Sequence, residues 1–155
     1  MRGNKGVIVI DYENFLTWEK ESPDCIDFKR LYYVIAGNDL HAGILLSQII
    51  YWHLPSKKNG LTKLQIKKHG HYWLVKRRKD WLNECCLKPT QFDRASKILV
   101  KRELIVKKVY KYKNSPTTHI RLDIDRLSQY LSDALANTSD ILDINDLRIL
   151  KLVNR

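Results

Sequence analysis

Asp80-Trp81-Leu82-Asn83-Glu84-Cys85-Cys86-Leu87-Lys88-Pro89-Thr90-Gln91-Phe92-Asp93-Arg94-Ala95-Ser96-Lys97-Ile98-Leu99-Val100-Lys101-Arg102-Glu103-Leu104-Ile105 is the stretch that decides the fold. Trp81 and Leu82 mark the inward side of a short helix. Pro89 then sits at or near the first position of a second helix, where a residue without an N–H loses nothing. Phe92, Ala95, Ile98 and Leu99 recur at helical spacing and form its inner face. Thr90, Gln91, Arg94, Lys97 and Lys101 are left outward. The expectation is helix, tight turn, helix.

Downstream, Ile105 to Lys113 alternates apolar and basic residues as a strand does. Asn114-Ser115-Pro116 is expected to turn the chain, and Thr118 to Asp123 to return it. Upstream, Leu64 and Ile66, then Trp73 and Val75, alternate about His69-Gly70 and predict a second hairpin. Farther back, Asp27 is read as the cap of a helix carrying Phe28, Leu31, Tyr32, Val34 and Ile35. Gly37 ends that helix and Asn38 is read as the cap of the next, Asp39 to Leu54, which stops before Pro55. This second helix is apolar nearly all round, as a central core helix is.

The charge is concentrated. Residues 56–123 hold 19 Lys/Arg against 5 Asp/Glu, residues 1–55 hold 5 against 7, and residues 124–155 hold 4 against 5. One sign gathered in one segment is the footprint of a surface that meets a polyanion. With 155 residues and 44% apolar content, the chain is read as one globular domain. Its apolar runs are too short to span a bilayer. The three cysteines, two of them adjacent, make a poor disulfide framework and suit a reducing, cytoplasmic setting. His69, His71, Cys85 and Cys86 lack zinc-site spacing, so these thiols are read as buried small hydrophobes and no metal or other cofactor is expected.

Helix, turn, helix and basic hairpin together make a winged-helix arrangement. Residues of about 38–123 resemble the winged-helix domain of phage and plasmid replication proteins, including initiators and DnaD-like N-terminal domains. The matching pieces are Leu45-Leu46-Ser47-Gln48-Ile49-Ile50-Tyr51-Trp52, Gly70-x-x-Trp73, Trp81 through Ile105, and Thr117-Thr118-His119-Ile120-Arg121-Leu122-Asp123. Glu103 stands where related wings usually have Gly. The expected fold class is therefore α+β, mostly helical, with a helical extension before the winged helix and helices after it.

The expected readers of base edges are Lys88, Thr90, Gln91, Arg94, Lys97 and Lys101, because Arg pairs with guanine and Gln with adenine in a major groove. The expected phosphate contacts are Lys76, Arg77, Arg78 and Lys79 ahead of the first helix, and Lys111, Lys113, Asn114, Thr117 and Thr118 at the wing. Residues 1–26 are read as an arm or edge strand. Val7-Ile8-Val9-Ile10-Asp11 resembles the opening strand of NYN/PIN-like nucleases, but no further strand-borne carboxylates follow it, and no catalytic residues are expected. Residues 27–123 are the binding domain. Residues 124–155 form a helical segment that dimerises or packs, with Ile124, Leu127, Leu131 and Leu135 on one stripe and 141–153 leaning towards a homodimer. The reading is a sequence-preferring double-stranded DNA binder acting in replication initiation or transcriptional regulation, with a possible protein partner in either process. Its rival is a winged helix that docks proteins instead.

Overall fold

The computed structural model describes residue 6 and residues 9–137. In chain order the elements are α1 (Tyr12–Glu21), α2 (Arg30–Ile35), α3 (Leu40–His53), β1 (Ile66–Lys68) and β2 (His71–Val75). They continue with α4 (Asp80–Cys85), α5 (Pro89–Lys101), β3 (Ile105–Tyr112), β4 (Ser115–Leu122) and α6 (Ile124–Asn137). The class is α+β, with one antiparallel sheet ordered β1-β2-β4-β3. Residues 138–155, including the expected dimerisation segment 141–153, lie outside the described residues.

α3 is the core helix, burying Leu45, Leu46 and Ile49. Its partner α2 comes so close that a Cβ on Gly43 would stand 3.0 Å from the Tyr33 Cα and 3.2 Å from the Phe28 ring. α5 packs Phe92, Ala95 and Leu99 onto α3, and Trp81 of α4 stacks on Phe92 with ring centroids 5.3 Å apart. The sheet covers the other side of this core through Leu74, Ile105, Ile120 and Leu122. α6 closes the layer against α2, with Leu127 buried, Leu131 half-buried and Ile124 left exposed.

Several local expectations are corrected. Val9 and Ile10 are exposed and form no strand; Asp11 instead caps α1 by accepting the Asn14 N–H at 2.8 Å. Asp27 does not cap α2, which starts after Lys29 without a side-chain cap. Asp39, not Asn38, caps α3, accepting from the Ala42 N–H at 2.9 Å, while Asn38 takes a left-handed φ of 58°. The β3–β4 hairpin turns at Lys113-Asn114, both with positive φ (46° and 62°), so β4 already begins at Ser115. Two positive φ values in a two-residue loop suit the right-handed strand twist. Pro116 fits inside β4 because that end of the strand pairs only with β3.

Candidate nucleic-acid interface

The link between α4 and α5 sets the site. Cys86 leaves α4 in the left-handed region (φ 64°), Leu87 is buried, and α5 starts at Pro89. Cys86 is exposed, which corrects its reading as buried; Cys85 is buried, and burial first, then neighbouring Glu84, pushes its thiol up to about 12. At 100° per residue, Thr90, Arg94, Lys97 and Lys101 fall along one outward stripe of α5, opposite Phe92 and Leu99. α5 ends where Glu103, rather than glycine, takes a left-handed φ of 60°.

Two expected base readers are committed inside the molecule. The Gln91 Oε1 accepts the Lys88 backbone N–H at 2.9 Å, so its amide is turned back on the helix start. Arg94 makes a two-pronged pair with Asp39, at 2.6 and 3.1 Å, and lies 3.1 Å from the His41 Nδ1. That hydrogen-bonded guanidinium is the main reason the Asp39 carboxyl is held below its ordinary range. Lys97 and Lys101 have no ion-pair partner among the described residues, and Thr90 and Lys88 are exposed beside them.

The run Lys76-Arg77-Arg78-Lys79 is divided. Lys76 is drawn in, 2.5 Å from Glu84 and 4.3 Å above the Trp52 ring. Glu84 also accepts from the Gln48 Nε2 at 2.8 Å and from the Trp52 indole, so Lys76 belongs to a polar knot between α3 and α4. Arg78 forks onto Asp93 of α5 at 2.9 and 2.6 Å. The Arg77 and Lys79 side chains remain exposed without ion-pair partners among the described residues, while the Arg77 backbone N–H donates to the Asp80 carboxylate at 2.8 Å.

Arg77, Arg78 and Lys79 line a groove of about 390 Å³ with Pro89 and with Ser115 to Thr118 of β4. Thr117 is buried and its hydroxyl donates to the Ser115 carbonyl at 3.1 Å, so only its edge reaches the groove. Lys111, Lys113 and Asn114 stand exposed at the tip of the β3–β4 hairpin. The first turn of α5 opens beside this groove, and Lys88 offers no side-chain acceptor to cap it. A larger hollow of about 490 Å³ lies by α6, but Glu103, Asp123 and Asp125 line it and would repel phosphate.

Two anchoring residues were not singled out from sequence. Glu84 is one. Arg102 is the other: its Nε donates to the Ile35 carbonyl at 2.7 Å and its guanidinium lies over the Tyr130 ring, pinning α5 to α2 and α6. Among the described residues, no three His, Cys, Asp or Glu side chains gather as metal ligands, and no helix is long and apolar enough to cross a membrane. No family model, curated protein or solved structure matches this chain.

Proposed function

We propose that the chain is a winged-helix protein from a phage, plasmid or other mobile element that binds double-stranded DNA with a sequence preference, in replication initiation or transcriptional regulation. The order α3, β2, α4, α5, β3, β4, with β2 paired to β4, supports the winged-helix reading. The observation that carries the binding reading is the groove where the Arg77 and Lys79 side chains, without ion-pair partners among the described residues, meet the wing and the first turn of α5. Phosphates fit there, at the positive end of a helix dipole, and Thr90, Lys97 and Lys101 then face the adjoining major groove.

The test is a duplex titration over salt. Wild-type affinity is expected to fall steeply, with a log–log slope of several units at about −0.9 per phosphate. Arg77→Ala with Lys79→Ala should flatten that slope by about two units across all sequences. An unchanged slope would remove the groove from the interface. One observation favours the protein-docking alternative: α1 buries none of its side chains, and Tyr12, Phe15, Leu16 and Trp18 stand exposed.

A further inference from the structure

From Leu40 to Lys79 the chain contains no Asp or Glu, yet it carries nine Lys/Arg. Five of these, Lys57, Lys58, Lys63, Lys67 and Lys68, lie ahead of or on β1, apart from the Arg77–Thr118 groove. None has an ion-pair partner among the described residues.

Two of these lysines sit on exposed aromatic rings. The Lys63 Nζ lies 3.6 Å from the Tyr51 ring centroid and donates to the Tyr51 carbonyl at 2.7 Å. Lys67 is directly cross-strand from Tyr72, its ammonium 5.5 Å from that ring. Tyr51, which meets the Trp52 ring edge-on at 5.6 Å, and Tyr72 are still 44% and 43% exposed, whereas Tyr110 is packed against both Trp73 and His119. The stretch from Lys63 to Lys67 spans at most about 13 Å when extended. Desolvation, then repulsion from Lys57, lowers the Lys63 pKa, as expected where cations crowd without a counter-charge.

A groove of about 430 Å³ beside Tyr72 runs to Asp123 and Asp125. Those carboxylates keep phosphates on the lysine side. We infer that the β1–β2 ribbon and the loop before it form a second nucleic-acid surface, which takes unpaired bases on Tyr51 and Tyr72 and their phosphates on Lys57, Lys63 and Lys67. Ring faces accept any base, so this surface tolerates sequence where α5 would select it. It rests on the reading of the chain as a nucleic-acid binder and extends it from a closed duplex to an opened one.

The experiment is fluorescence anisotropy with the full chain and three probes of one sequence: single-stranded DNA, single-stranded RNA and duplex DNA. Tyr51→Ala and Tyr72→Ala should each weaken single-strand binding about five- to a hundredfold, as loss of a stacked base does. Duplex binding should stay within about twofold, and Tyr72→Phe, which keeps the ring, should behave as wild type. Arg77→Ala with Lys79→Ala should do the reverse, weakening duplex more than single strand. Tyrosine-dependent binding of either single strand supports the surface, and the tighter one names its source. Duplex binding without single-strand binding, or single-strand binding indifferent to both tyrosines, overturns it alone. Tyrosine-dependent single-strand binding without duplex binding overturns the double-strand reading instead, and no binding to any probe overturns both.

Discussion

Lys76 and Lys79 stand three residues apart in one basic run, and the molecule uses them in opposite ways. At the α3–α4 seam, Lys76 is held between the Glu84 carboxylate and the Trp52 ring, with its side chain 17% exposed. At the groove beside the β3–β4 hairpin, the Lys79 and Arg77 side chains have neither an ion-pair partner nor an aromatic ring against them among the described residues. A cation at the seam is part of the fold, because it neutralises a carboxylate that indole and amide donors already surround. An unpaired cation at the groove, unlike Arg78 on Asp93, neutralises no carboxylate of the fold and remains available to a ligand. Summed charge therefore overstates the binding surface, and the pairing of each residue decides its role.

The sharpest way to break this contrast is Glu84→Ala. It leaves the Lys76 ammonium half-enclosed and strips the Gln48 and Trp52 donors of their acceptor. Removing one partner of a buried pair costs about 3–5 kcal/mol, and the residual exposure here brings the expectation to about 3 kcal/mol. Urea unfolding should show that loss while the duplex salt slope stays unchanged. A large change in slope with little change in stability would place the seam in the interface.

A smaller effect should come from the clasp between Asp39 and Arg94, which spans both kinds of region. Asp39→Asn keeps a good cap on α3 but loses the two-pronged pair, freeing a cation on the outward stripe of α5. Duplex affinity at low salt should rise a few-fold, with the slope steeper by up to about one unit. Adding Arg94→Ala should cancel the gain. If Asp39→Asn alone changes nothing, Arg94 is not held back by the clasp.

The smallest expected effect is a pH dependence at the joint between α3 and β4. The His53 Nδ1–H donates to the Ile49 carbonyl at 2.7 Å, and its Nε2 accepts the Leu122 N–H at 3.2 Å. Burial, the dominant cause, lowers its pKa, so the folded chain binds a proton less readily than the unfolded one. His119, fully buried in the aromatic cluster, is shifted the same way for the same leading reason. Their contribution is complete above the unfolded value of about 6.5 and declines as pH falls below it towards the lowered folded values. Urea midpoints at pH 7.5 and pH 5 should show this decline, and His53→Gln should reduce it.

Much of the architecture was legible because its signals are local. Pro89 with Phe92, Ala95 and Leu99 fixed α5, and the alternation about His69-Gly70 fixed the β1–β2 hairpin. The β3–β4 turn was misplaced by one step because Asn-Ser-Pro reads as a turn, whereas the loop uses Lys113 in a conformation that lysine seldom adopts. The Val-Ile-Val-Ile run drew attention to strand and away from α1, whose cap, Asp11 with Asn14 three residues on, was readable. At the site, the Gln91 fold-back was also readable, since a Gln three residues after the helix cap is a known capping position. The Arg94–Asp39 clasp and the Lys76–Glu84 knot were not. Asp39 and Arg94 are 55 positions apart, and no periodicity reports which carboxylate a given cation will meet.

Among the described residues, the helix at Tyr12–Glu21 buries none of its side chains. Ten residues are fewer than an isolated helix needs to hold itself in water, where nucleation is costly and propagation gains little. Its aromatic side chains Tyr12, Phe15 and Trp18 are exposed, Phe15 and Trp18 meeting each other with ring centroids 6.3 Å apart, so helix formation and docking are coupled for this segment. The ellipticity of α1 is thus a built-in gauge of occupancy. Far-UV circular dichroism of the full chain reads whether anything, DNA or protein, has engaged its N-terminal end.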